Sequence, residues 1–95
     1  MIIGTLTIEF RLHGIFSLKG KRQIANSLKQ KLKNKFNVAV AEISHLDSLD
    51  FLTLGIVTVA NETRRVESLL NKALAMIEAI TTEEIIDVQM EVFGA

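Results

Sequence analysis

The spacing of hydrophobic residues alternates between two periods along this 95-residue chain, and the order of those periods limits the fold. Over Ile2–Leu12 every second residue is apolar or glycine, which predicts a half-buried strand. Phe51–Ala60 is almost continuously apolar and predicts a strand that is covered on both faces or meets another subunit on one of them. Alternating patterns predict two further strands, at Val38–Ile43 and Ile86–Val92.

Helical spacing occupies the two stretches between these strands. In the first, apolar residues recur at every fourth position, at Ile24, Leu28, Leu32 and Phe36. Ser17 stands where the N-cap of this helix belongs, and Asn37 stands where a left-handed residue would end it. Asn61 is the predicted N-cap of the second helix, which runs to Ile80 with a wide apolar stripe.

The resulting order, βαββαβ, predicts one α+β domain over residues 1–95. It most simply folds as a two-layer sandwich, with a four-stranded antiparallel sheet and both helices on one face. Right-handed crossovers then place the first and third strands in the centre. Because two helices cover only one face, we expect self-association at a sheet edge or on the other face, which contains Ile3, Thr5 and Thr7.

The first helix lies in the stretch that carries most of the cations. Residues 17–37 hold seven of the eleven Lys and Arg side chains and no carboxylate. At about 100° per residue, Arg22, Lys29 and Lys33 fall on the flank away from the apolar stripe. A helix that packs on one side and presents cations to solvent indicates an anionic partner. The predicted nucleic-acid-binding residues are Lys19, Lys21, Arg22, Lys29 and Lys33.

The two parts of the chain carry opposite charge, although the net charge is zero. Residues 1–40 hold eight Lys or Arg against one acid, and residues 41–95 hold three against ten. Such a division is typical of nucleic-acid binding by the basic part, and also of two parts that neutralise each other across a core or between subunits. Glu42, at the end of the second strand, is a candidate to pair with a cation of the basic helix.

Composition argues against several classes of protein. Without cysteine there is no disulfide and no thiol nucleophile. No apolar run approaches the roughly 20 residues that span a bilayer, so we expect a soluble cytoplasmic protein with no membrane partner. His45, Asp47 and Asp50 share a loop but do not make the supported set of three ligands that a catalytic metal needs. We therefore expect no enzymatic activity and no cofactor.

Three motifs, SLK-x-KR followed by SL, FNVAVAEI, and LG-x-V-x-V-x-N, resemble those of the bacterial YlxP-like proteins, a family of small domains of unknown function. The resemblance covers nearly the whole chain and implies a ferredoxin-like fold, a bacterial cytoplasmic protein and an association with RNA or the ribosome. The matching residues are Ser17, Leu18, Lys19, Lys21, Arg22, Phe36, Asn37, Val38, Glu42 and Asn61. The chain departs from the family at Gly20, where Glu is usual, and between Ser44 and Phe51, where a Gln-Asp pair is usual.

These observations lead to three hypotheses for function. The first is non-catalytic binding of RNA or the ribosome through the basic helix, by charge and shape, because the chain has no Tyr or Trp and its five Phe residues mostly fit a core. The alternative is a protein-interaction or self-association module, with the acidic residues of the first and last strands meeting cations of another chain. Ligand sensing, as in ACT-like domains, rests on strand order alone. A solvated lysine surface without a partner would explain the same cations.

Overall fold

The computed structural model describes all 95 residues and contains four strands and two helices. In chain order they are β1 (Ile2–Arg11), α1 (Leu18–Lys35), β2 (Ala39–Ser44), β3 (Phe51–Ala60), α2 (Thr63–Ile80) and β4 (Glu84–Gly94). The strands form one antiparallel sheet in the order β2-β3-β1-β4. This confirms the predicted ferredoxin-like sandwich, with the first and third strands in the centre. Neither helix is long and apolar enough to cross a membrane.

The core lies between one face of the sheet and the two helices. The strands contribute Leu6, Ile8, Phe10, Leu52, Leu54 and Ile56, all with no exposed surface. The helices contribute Ala25, Leu28, Leu32, Val66, Leu70, Ala73 and Ile77. Because these residues form one buried cluster, both helices cover the same face of the sheet, and the opposite face has no layer on it.

α2 packs directly against the sheet at Gly4 of β1. A Cβ atom at this position would overlap with Cγ1 of Val66 and would lie 2.8 Å from Cδ1 of Leu70. Glycine is needed at this position because its missing side chain leaves room for the helix.

The predicted N-cap of α1 is confirmed, and the helix ends at Lys35 as expected, but the left-handed residue predicted at Asn37 is wrong. The hydroxyl of Ser17 accepts a hydrogen bond from the N–H of Gly20 at 3.0 Å, as an N-cap does. At the other end Phe36 is the C-cap, with extended backbone, and Asn37 is not left-handed. The physical reason is that Phe36 packs against the core, so the chain passes from the helix into β2 without a left-handed turn.

The second helix begins later than predicted. β3 ends at Ala60, and the bend that follows takes up both Asn61 and Glu62. The N-cap is therefore Glu62, whose side chain makes no capping hydrogen bond, and Asn61 lies outside the helix. The last strand is longer than predicted at both ends.

The uncovered side of the sheet, which we call the open face, contains the residues expected there. Ile3, Thr5 and Thr7 of β1 are half-buried on it, and cross-strand pairing puts Val57 and Val59 of β3 beside them. The pairing of β2 with β3 is interrupted by a bulge at Ile43. The side chain of Ile43 lies over Gly55 on the open face, since a Cβ atom at Gly55 would be 3.0 Å from Cγ2 of Ile43.

Candidate nucleic-acid interface

α1 packs on the sheet through residues that lie one helical turn apart. Lys21, Ala25, Leu28 and Leu32 are its buried residues, at positions i, i+4, i+7 and i+11. This spacing puts them on one stripe of the helix. Lys21 therefore lies on the buried side of α1, one turn before Ala25.

Lys21 is 1% exposed, so it does not belong to the solvent-facing strip that the sequence predicts. Its Nζ donates hydrogen bonds to the backbone oxygens of His45 and Ser48, the second at 2.7 Å. Nζ also lies 3.0 Å from Oε2 of Glu42, a pairing of β2 with the basic helix that the sequence suggested. Oε2 is buried and receives no well-aligned hydrogen bond, so the contact is an ion pair held by charge. Lys21 has a structural role and is removed from the predicted binding residues.

The loop between β2 and β3 is anchored on both sides of the sheet. Lys21 binds its backbone from the helical side. On the open face, Nε2 of His45 lies 3.4 Å from Oε2 of Glu9, and its ring lies 5.3 Å from that of Phe51. His45 has a positive φ of 57°, in the left-handed region of the backbone. No group of three His, Cys, Asp or Glu side chains is close enough to hold a metal ion.

The four other predicted residues remain on the surface of α1. Lys19, Arg22 and Lys33 are exposed, and Lys29 is half-buried. None of the four makes an ion pair. We call this set, Lys19, Arg22, Lys29 and Lys33, the outer ridge, because the opposite flank of α1 faces α2.

Cations from both helices line the space between α1 and α2. Phe36 and the first turns of α2 enclose a groove of about 400 Å³ whose charged lining is Arg64, Arg65 and Lys72. A neighbouring groove of similar size has Lys35 of α1 beside Lys72. These cations were not predicted as part of the site, because they come from distant parts of the chain. The sequence feature that could have indicated them is the Arg64-Arg65 pair in the first turn of a helix, where positive charge opposes the helix dipole.

The helical layer as a whole is basic and largely unpaired. α1 carries seven cations and α2 three, and all of them except Lys21 lack an ion pair. β4, at one edge of the sheet, carries Glu84, Asp87 and Glu91 and no cation. Because α2 also carries Glu67 and Glu78, the positive charge of the helical layer comes mainly from α1, and it contrasts with the acidic β4 edge.

One aromatic side chain lies outside the core beside this layer. Phe16 precedes the N-cap of α1 and is 91% exposed, although the Phe residues were mostly expected in the core. Its neighbour Ile15 packs against the core instead, which leaves Phe16 on the outside of the loop. An exposed aromatic ring near cations can stack on an unpaired base.

Comparison with known proteins identifies the family. A family model described as a protein of unknown function, DUF503, matches residues 3–90. The chain belongs to this family. It is 31% identical over 78 residues to the uncharacterized protein YlxP of Bacillus subtilis, across 82% of this chain and 85% of the relative. The relationship indicated by the three sequence motifs is confirmed.

Two solved structures share the fold at low sequence identity. SnoaB, a cofactor-independent oxygenase from Streptomyces nogalater, aligns with a TM-score of 0.58 and 12% identity over 98% of this chain and 92% of its own. A Deinococcus radiodurans protein named as an antibiotic biosynthesis monooxygenase aligns with a TM-score of 0.51 and 13% identity, over 100% and 92%. At these identities the likeness shows the fold alone, and no oxygenase chemistry is carried over to this chain.

Proposed function

We propose that this chain is a non-catalytic RNA-binding domain that holds phosphate groups with the cations of its helical layer. The observation that carries the proposal is the set of nine Lys and Arg side chains on α1 and α2 that make no ion pair. Binding to free RNA or to the RNA of the ribosome would use the same cations, because phosphates are common to both.

The energetics of α1 favour a bound anion over a merely solvated surface. A helix that serves only for solubility mixes charges of both signs, which gain from pairing at i and i+4. α1 has no carboxylate, and it places Lys29 four residues before Lys33 and Lys31 four before Lys35. Each like-charged pair costs about 0.2–0.5 kcal/mol, and phosphate binding would remove this repulsion.

The spacing of the outer ridge suits a phosphate backbone. At about 1.5 Å per residue, Arg22 and Lys29 lie about 10 Å apart along the helix axis, and Lys29 and Lys33 about 6 Å. Contacts of this kind fix a strand on the surface but read no base sequence. Phe16, near the start of the same helix, supplies one ring for a base that is not paired.

The test is fluorescence anisotropy with a labelled single-stranded RNA and a labelled RNA duplex, at several salt concentrations between about 0.05 and 0.2 M. For single-stranded RNA, replacing Arg22, Lys29 and Lys33 by Gln should lower the slope of log affinity against log salt by about 0.7 for each phosphate that the variant no longer neutralises. Arg11→Gln, at the exposed end of β1 and away from the helices, is the matched control and should leave the slope unchanged. Ribosome co-sedimentation with the same variants tests the ribosomal setting.

The proposal would be refuted if neither RNA binds at the lowest salt concentration, or if the affinity does not fall as the salt concentration rises. If the wild type and the triple variant both bind RNA with the same slope of log affinity against log salt, the binding site lies in the groove between the helices and not on the outer ridge. Variants at Lys35, Arg64 and Lys72 would then identify that site.

A further inference from the structure

We infer that the open face of the sheet is covered by a second copy of this chain, which forms a two-fold dimer and leaves both helical layers outward. The open face is defined by cross-strand pairing. It contains alternate residues of the four strands, namely Ala39, Ala41, Gly55, Val57, Val59, Ile3, Thr5, Thr7, Glu9, Phe93, Glu91, Gln89 and Asp87, together with Ile43 at the bulge.

The open face is more apolar than the solvent side of a two-layer protein. Val57 is 41% exposed, Val59 and Ile43 are each 51% exposed, and Phe93 is 46% exposed. In an antiparallel sheet with one solvated face, these positions are ordinarily polar. Large apolar side chains grouped on one uncovered sheet indicate an interface.

A shallow groove crosses the middle of this face. It has a volume of about 410 Å³ and is lined on its open side by Thr5, Thr7, Ala39, Ala41 and Gly55. Ile43 and Val57 also line it. The lining contains small side chains and no charge, so side chains of an apposed sheet can enter without burying an unpaired ion.

The chemistry of the face selects a second copy over the other partners. Apart from Arg11 and Glu84, which pair at the end of β1 and β4, its charged side chains are the carboxylates of Glu9, Asp87 and Glu91, which repel RNA and anionic lipid. Strands of 10, 6, 10 and 11 residues, at about 3.3 Å per residue and about 4.8 Å apart, offer roughly 590 Å² per copy. Two copies would bury about 1,200 Å², the lower limit for a stable interface.

Electrostatics also selects the direction of the two-fold axis. An axis perpendicular to the strands and in the plane of the interface would place β4 of one copy over β4 of the other, so the carboxylates of Asp87 and Glu91 would lie near those of the second copy. An axis parallel to the strands places β4 over β2 instead, so at the rim the carboxylate of Glu91 lies over Ala39 and that of Asp87 over the bulge at Ile43 and Ser44. The parallel axis avoids like charges in contact and keeps the carboxylates partly in water.

The test is the molar mass measured by sedimentation equilibrium. The wild type should have twice the 10.6 kDa mass of the chain. Val57→Lys puts two ammonium groups into the centre of the interface and should yield the monomer, with circular dichroism unchanged because Val57 is partly exposed. Ile80→Lys is the matched control: Ile80 is 37% exposed at the end of α2, and this variant should remain dimeric.

Two results would overturn the inference. One is a monomeric wild type at about 1 mM, where even a weak dimer would be populated. The other is a dimer that persists in Val57→Lys. That result is expected if two copies pair through the edge of β2 and not through the open face. If Val57→Lys fails to fold, Val59→Lys, at a position 51% exposed, gives the same reading. None of these outcomes depends on RNA binding, which uses the opposite side of the molecule.

Discussion

A buried ammonium group holds the first turn of α1 to the loop between β2 and β3. Lys21 contacts Glu42 and two backbone oxygens of that loop, and it is 1% exposed. Removal of one member of a buried pair leaves an uncompensated charge, which costs far more than the pair contributes. The loop backbone would also lose its only side-chain donor from the helix.

We expect Lys21→Met to lower the free energy of unfolding by about 3–5 kcal/mol, measured by urea denaturation. Lys19→Met, two residues earlier on the exposed side of the helix, should change it by less than about 0.5 kcal/mol. The double variant Lys21→Met/Glu42→Leu should be more stable than Lys21→Met alone, because no charge is left buried. A Lys21→Met protein as stable as the wild type would contradict the burial of this side chain.

Lys21 shows that the sequence does not determine whether a single charged side chain is buried. The outer ridge follows from helical periodicity alone, and the structure leaves its four residues outside the core. The same periodicity puts Lys21 on the buried stripe with Ala25 and Leu28, but a lysine at such a position is buried only if partners exist. Those partners, Glu42 and the loop oxygens, are more than twenty residues away in sequence, so only the fold brings them together.

At the scale of elements, the docking of α2 on β1 depends on the absence of one side chain. Gly4 lies beneath Val66 and Leu70, and neither side chain could keep its place beside an added methyl group. Overpacking of this kind forces the helix away from the sheet or the side chains out of their rotamers.

We expect Gly4→Ala to lower the free energy of unfolding by about 1–3 kcal/mol, measured by thermal or urea denaturation. Gly94→Ala is the matched control, since a Cβ atom there would lie 3.9 Å from Ile2 and meet no closer atom. It should be neutral within about 0.5 kcal/mol. If both substitutions lower the free energy of unfolding equally, the effect of Gly4→Ala comes from strand propensity and not from the docking of α2.

The type and order of the elements could be predicted from the sequence, whereas some ends could not. Periods of two and about four residues decide strand or helix, and the six elements follow from them. The capping roles predicted for Asn37 and Asn61 depend on how the chain turns between layers, which local propensity does not contain. The bulge at Ile43 is likewise invisible in the sequence, although it places an apolar side chain over Gly55 on the open face.

At the scale of the molecule, the net charge of zero conceals a separation of charge across its thickness. The helical layer is basic, whereas β4 and its neighbour Glu9 are acidic, and the two shorter dimensions of the molecule are 21 and 19 Å. This separation depends on which strand forms the edge, so the sequence indicated its existence but not its direction. An RNA bound to the helices would be repelled by the distant carboxylates only at low salt, where their charge is little screened.

The field of those carboxylates can be measured through the proposed RNA complex. The screening length is about 30 Å at 0.01 M salt and about 8 Å at 0.15 M. The first exceeds the two shorter dimensions of the molecule, 21 and 19 Å, and the second is less than either. We expect Asp87→Asn/Glu91→Gln to raise RNA affinity several-fold at the lower salt concentration and to leave it unchanged at the higher one, measured by anisotropy. Gln89→Glu, between them on β4, should have the opposite sign at low salt. An effect of the double variant that persists at 0.15 M would mean that RNA touches β4, because only direct contact escapes that screening.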